Sequence, residues 1–131
     1  MMVFIDTSAF LAVLDVGDAN HAAAKALWEK MITAGAVLLS HNYILVETSA
    51  LVSRRLGIEA IRAFERDIVP VLRVEWVTRD IHCVAAAAHM IAARRALSLV
   101  DCVSFEVMRR SEIRTAFAFD RHFQEYGYEL I

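Results

Sequence analysis

Five short apolar runs, at residues 3–5, 37–39, 72–77, 115–119 and 129–131, alternate with segments of helical length, and that alternation restricts the fold more than any other feature of the chain. Runs this short pair as strands. Strands separated by helices need crossover connections, which align them in parallel within one sheet. Helices are expected over residues 8–14, 21–34, 42–56, 59–68, 79–95, 100–110 and 122–126. Their limits are marked chemically, with Asn42 placed as a cap, Gly35 and Gly57 ending helices, and Pro70 stopping another. The expectation is one α/β domain over residues 1–131, with a mostly parallel central sheet flanked by helices. No repeat, low-complexity stretch or linker interrupts it.

Four acids interrupt the apolar pattern: Asp6, Glu47, Asp101 and Asp120. An ionised carboxylate on an apolar segment is costly to bury without a partner. Asp6 and Asp120 end predicted strands, and in parallel sheets ligands bind beyond the carboxyl ends of the strands. Glu47 shares a helical face with Ile44 and Leu51, and Asp101 shares one with Leu97, Phe105 and Met108. Each has a plainer explanation when taken alone. Asp6 and Asp120 precede helices as N-caps do, Glu47 could pair with a buried arginine, and Asp101 suits the positive end of its helix. Taken together they converge on one pocket, and no lysine lies beside any of them, since Lys25 and Lys30 are the only two. A hard divalent cation, Mg²⁺ or Mn²⁺, is the natural compensation for oxygen ligands gathered from distant segments, which points to metal-assisted chemistry on phosphates.

The net charge of −2 excludes a generic basic nucleic-acid coat. Twelve of the fourteen basic residues are arginine, however, with pairs at Arg54-Arg55, Arg94-Arg95 and Arg109-Arg110, and the guanidinium fork is suited to phosphate. Hydrophobic residues make up 58% of the chain, so apolar surface is expected to remain after folding and to be covered by a partner. No apolar run approaches a membrane span, and no basic segment precedes the first one. The reading is a cytoplasmic protein without membrane contact. Cys83 and Cys102 have no metal-pair spacing and are expected to pack as small hydrophobes. His82 and His89, seven apart, lack the spacing of a helical metal pair. Only four glycines are present, and no glycine-rich phosphate loop is among them, which removes the nucleotide-cradling folds. A receiver domain would need adjacent acids after the first strand and a later lysine. A haloacid-dehalogenase-like phosphatase would need an aspartate where Ser8 stands.

The segments Asp6-Thr7-Ser8-Ala9-Phe10-Leu11-Ala12, Asn42-Tyr43-Ile44-Leu45-Val46-Glu47-Thr48, Leu97-Ser98-Leu99-Val100-Asp101 and Phe119-Asp120-Arg121-His122-Phe123, followed by Gly127, resemble PIN-domain ribonucleases across the whole chain. The closest group is the VapC toxins of toxin-antitoxin pairs. The resemblance implies that Asp6, Glu47, Asp101 and Asp120 hold one or two Mg²⁺ or Mn²⁺ ions, and that Ser8 supports the first aspartate. It further implies an endoribonuclease in which metal-activated water cleaves RNA to leave a 5′-phosphate and a 3′-hydroxyl. A homodimer, a cognate antitoxin and RNA are the implied partners, with Arg121 the foremost candidate for contact with RNA phosphate. Asp18 and His21 match a family loop pattern, for which a structural role is favoured. Two positions depart from the family: Ala118 where many members have threonine, and His122 where some carry a further carboxylate. Two alternatives stay open, an RNA-processing PIN nuclease without an antitoxin and a catalytically silent interaction module.

Overall fold

The computed structural model describes residues 1–131. In chain order the elements are β1 (Met2–Ile5), α1 (Thr7–Leu14), α2 (His21–Thr33), β2 (Val37–His41), α3 (Asn42–Arg55), α4 (Ile58–Ala63), β3 (Arg73–Glu75), α5 (Arg79–Ala92), α6 (Leu99–Arg110), β4 (Thr115–Phe117), α7 (His122–Glu125) and β5 (Glu129–Leu130). All strand pairs are parallel, in the order β3-β2-β1-β4-β5. β1 lies at the centre, where Val3, Phe4 and Ile5 are fully buried. This is why it reads as an unbroken apolar run: a parallel strand covered on both faces has no polar side to display.

The order of connections positions the site. The connections from β1 to β2 and from β2 to β3 step outward in one direction. The connection through α5 and α6 then returns past β1 to its other side, so β4 pairs directly with β1, with Ile5 opposite Phe117. Crossovers leaving adjacent strands in opposite directions open a crevice at the carboxyl edge of the sheet, and β1 and β4 are that pair.

Several local expectations are corrected. β4 stops at Phe117 rather than 119, because the Phe119 N–H donates to Ser8 Oγ (2.9 Å) and leaves the ladder. Asp120 therefore lies in a turn three residues beyond the strand. His41, not Asn42, caps α3 by accepting the Ile44 N–H, and Asn42 Oδ1 instead accepts the Val77 N–H at 2.6 Å. The helix expected over 59–68 is regular only to Ala63, widens to π geometry over Phe64–Ile68, and passes into a 3₁₀ turn at Val69–Val71 containing Pro70. Both Phe64 and Ile68 reach the core by this route. α5 ends at Ala92 because Ala93 turns left-handed (φ 50°), which releases the loop that follows. Cys102 is buried as expected, whereas Cys83 is exposed on α5. No helix is long and apolar enough to cross a membrane.

Candidate active site

Asp6 follows β1 directly and caps α1. Its backbone N–H continues the β1–β4 ladder by donating to Phe117 O (3.1 Å), and its Oδ2 accepts from both Ser8 N (3.1 Å) and Ser8 Oγ (2.6 Å). Since Ser8 Oγ also accepts from Phe119 N, one hydroxyl ties the end of β1 to the turn after β4. Asp101 sits in the third position of α6 and forms a reciprocal capping box with Ser98, with 3.0 Å for each hydrogen bond. Asp120 Oδ1 accepts the His122 N–H at 2.9 Å, so the turn fixes this carboxylate without a threonine at position 118. Glu47 projects from α3 and makes no hydrogen bond or ion pair. These four acids, with Thr7, Ser8, Leu11, Ala96 and Ser98, line one open cleft of about 300 Å³.

The plainer explanations for the acids thus hold in part, but hydrogen bonds account for only three of the eight carboxylate oxygens. Asp6 Oδ2 and Asp101 Oδ2 do the capping. No protein donor reaches Asp6 Oδ1, Asp101 Oδ1, Asp120 Oδ2 or either oxygen of Glu47. No arginine or lysine forms an ion pair with any of the four, the arginine anticipated beside Glu47 included. The electrostatic consequence is clearest at Asp6, which is 5% exposed. Burial pushes its pKa up to about 6 against the relief given by Ser8, and the nearby Asp101 and Asp120 charges raise it further. No protein cation stands beside Asp6 to offset that burial.

His122 enters the site from the first position of α7. Its Nδ1 lies 3.0 Å from Asp120 Oδ1 and 3.3 Å from Asp101 Oδ2, and these three residues form a group whose donor atoms are close enough for one metal ion. The site residues other than the four acids and Ser8 had weaker signals. Ser98 is visible as the start of the S-x-x-D capping pattern before an apolar helix, and His122 only through its position two after Asp120.

Below the cleft, His41 is fully buried, and burial pushes its pKa down to about 3. Its Nδ1 accepts the Ile44 N–H, so Nε2 carries the proton and donates to Ser104 Oγ (2.8 Å), which donates to Val100 O (2.9 Å). This neutral chain joins the start of α3 to α6, the helices that carry Glu47 and Asp101. The remaining singled-out residues have structural partners. His21 Nδ1 bonds to Ala12 O, Asp18 closes its own turn, His82 meets the Tyr43 hydroxyl, and His89 Nε2 bonds to Leu97 O. Arg109 and Arg110 are committed to Glu106, and Arg94 to Glu125. Arg54, Arg55, Arg95 and Arg121 are exposed and form no ion pair.

Comparison with known proteins identifies the family of the fold. The PIN-domain model matches residues 3–128. The 23S rRNA-specific endonuclease VapC20 of Mycobacterium tuberculosis is 38% identical over 128 residues, covering 97% of this chain and 95% of the relative. The crystal structure of M. tuberculosis VapC20, described as a sarcin-ricin loop cleaving toxin, superposes with a TM-score of 0.83 at 37% identity, covering 96% of this chain and 95% of that one. FitAcB from Neisseria gonorrhoeae shares the fold, with a TM-score of 0.70 at 13% identity over the whole of this chain and 96% of the other. A β1–β4 switch point lined by acids without cations, on a chain that aligns from end to end with a ribonuclease of the same fold, belongs to the PIN-domain family, in its VapC-type branch.

Proposed function

We propose that the protein is a Mg²⁺- or Mn²⁺-dependent endoribonuclease acting as the toxin of a toxin-antitoxin pair, with Asp6, Glu47, Asp101 and Asp120 as metal-holding residues. The observation that carries the assignment is the convergence of four carboxylates with unsatisfied oxygens and no cationic partner in one open cleft. PIN nucleases generally use divalent metal, and the donor set here fits one: oxygen-rich, acidic, and partly immobilised by capping before any ion binds. When bound, the ion supplies Lewis-acid activation of water and neutralises charge building on the phosphate oxygens.

The chain's own residues prepare the rest. Ser8 holds Asp6 in one orientation and ties it to the turn that carries Asp120, and Ser98 orients Asp101 through their capping box. The openness of the cleft admits a polynucleotide backbone. Arg121, exposed beside Asp120, and Arg95, beside the lining residue Ala96, are free to meet flanking phosphates without being neutralised by the acids. The sarcin–ricin loop of ribosomal RNA is the first substrate to test, since the VapC20 relative is described as cleaving it. A homodimer is supported by apolar side chains left in solvent, including Trp76 (68% exposed), Met90 (72%) and Ile91 (85%). An antitoxin would have to cover the acidic cleft or keep RNA from it.

The test is cleavage of ribosomal RNA by metal-stripped protein, with Mg²⁺ or Mn²⁺ restored. Activity should appear with either ion, vanish in chelator, and fall by about 10²-fold or more in Asp101→Asn, which retains an acceptor for the Ser98 N–H and so keeps the fold. Persistent cleavage after chelation, or a fully active Asp101→Asn protein, refutes the assignment. Light scattering reads the dimer, and co-purification with the product of an adjacent small gene reads the antitoxin.

A further inference from the structure

His122 presents a contradiction that the four acids alone do not resolve. Its Nδ1 is buried from solvent and lies 3.0 and 3.3 Å from two carboxylate oxygens, yet it has no hydrogen-bond partner, because neither contact has the alignment that an N–H donor requires. Each of the two oxygens already accepts one backbone N–H, Asp120 Oδ1 that of His122 and Asp101 Oδ2 that of Ser98, and keeps a second lone pair. An imidazolium placed there to neutralise the acids would turn its N–H onto one of them. Buried nitrogen left without a partner is expensive and is rare unless something else occupies its lone pair.

The spacing identifies that occupant. Two donors bound side by side to one octahedral ion at about 2.1 Å stand about 3 Å apart, the edge of the octahedron. The separations of Nδ1 from Asp120 Oδ1 and Asp101 Oδ2 have this length. The pair of separations, with no hydrogen bond aligned on either oxygen, suits a cation shared by all three atoms. Nε2 remains free to carry the ring proton, the tautomer that leaves Nδ1 as an acceptor.

Resting on the metal-dependent reading above, we infer that His122 Nδ1 is a protein ligand of the divalent ion alongside Asp101 and Asp120, making this a mixed nitrogen and oxygen site that prefers Mn²⁺ to Mg²⁺. Mg²⁺ is selected by carboxylate and water, whereas an imidazole donor raises affinity for first-row transition ions. His122 thereby sets which ion the cleft holds, a property the acids alone would leave to availability.

The experiment reads coordination directly. Metal-stripped wild type is titrated with Mn²⁺ and followed by electron paramagnetic resonance, and the bound ion is then examined by spin-echo modulation for coupling to histidine nitrogen, with ¹⁵N-histidine protein confirming the source. His21, His41, His82 and His89 each have a ring nitrogen committed elsewhere, so coupling at this site reports His122. Nitrogen coupling is expected in wild type and absent in His122→Gln, which should bind Mn²⁺ about tenfold or more weakly with a much smaller change for Mg²⁺. His122→Asp should recover affinity while shifting preference towards Mg²⁺. Tight Mn²⁺ binding by wild type without nitrogen coupling overturns this inference and leaves the nuclease assignment standing. Failure of wild type to bind Mn²⁺ at all overturns both. The decisive spectrum is that of the unmutated protein, so it does not depend on how well the variants fold.

Discussion

Replacing Asp6 with asparagine should stabilise the metal-free protein while destroying its activity. Burial and the neighbouring acids raise the Asp6 pKa from 3.8 to about 6. Because the folded-state value is the higher one, the folded protein binds the proton more tightly. Stability linked to this group is full below about pH 3.8, falls as pH rises through about 6, and stays low above that. A shift of this size corresponds to about 3 kcal/mol. Asparagine carries no charge and is as good a cap, so its oxygen can keep both bonds from Ser8. Asp6→Asn should therefore be more stable than wild type by about 2–3 kcal/mol at pH 7.5, or roughly 7–11 °C in Tm for a chain of this length. The advantage should shrink towards zero near pH 4, where wild-type Asp6 is itself neutral when folded. Urea melts in chelator at a series of pH values test this, since both proteins share every other titrating group and the difference curve isolates Asp6. Added Mg²⁺ or Mn²⁺ should stabilise wild type and do far less for the variant. An advantage that is absent, or that persists unchanged at pH 4, refutes the argument that the cleft is strained by its own charge.

Three further outcomes follow from other parts of the molecule. Arg121→Ala should weaken RNA binding and reduce the slope of log K against log salt by about 1, with metal affinity unchanged; an unaltered slope removes Arg121 from the phosphate path. Ala93→Gly should raise stability by about 1 kcal/mol, since Ala93 holds a left-handed conformation that glycine adopts freely, and a melt showing a loss would contradict the helix end described here. Ser104→Ala should cost about 1–3 kcal/mol by orphaning the buried His41 Nε2–H, and denaturation at neutral pH would reveal it; no loss would mean that the chain from β2 to α6 does not hold the helices in place.

What could be read in advance follows from how locally each feature is encoded. The parallel sheet was legible because β1, at its centre, is a short apolar run with no alternation, the mark of burial on both faces, and because segments of helical length separate the strands. The four acids were legible because a carboxylate in such a setting contradicts its surroundings, and all four line the one cleft. Less accessible were features fixed by contacts between distant segments. Nothing near Phe119 indicates that its N–H would leave the ladder for Ser8, more than a hundred residues earlier. Asn42 has the character of a cap, but Val77 takes its side chain and His41 performs the capping. The surroundings of His122 were hidden for the same reason: they consist of Asp101 from α6 and Asp120 from the preceding turn, whereas the sequence marks it only as a departure from the family two residues after Asp120.

Asp6 and His41 show how one small domain keeps a strained site in register. At Asp6 the fold accepts a raised carboxyl pKa in exchange for a concentration of negative charge, and repulsion among the acids would by itself push α1, α3 and α6 apart. The opposing restraint is uncharged. His41, held neutral because burial depresses its pKa to about 3, links the start of α3 to Ser104 and Val100 of α6 by hydrogen bonds that do not weaken with salt. Thr48 Oγ1 donates to Thr7 Oγ1 in the same buried layer, joining α3 to α1. The signs of the two titrations differ accordingly. His41 contributes stability that is present above about pH 6.5 and is lost as pH falls towards 3, whereas the Asp6 contribution is lost as pH rises through about 6. Near neutral pH the scaffold is thus at its strongest while the cleft is at its most strained, which is the condition under which binding of a cation relieves the most.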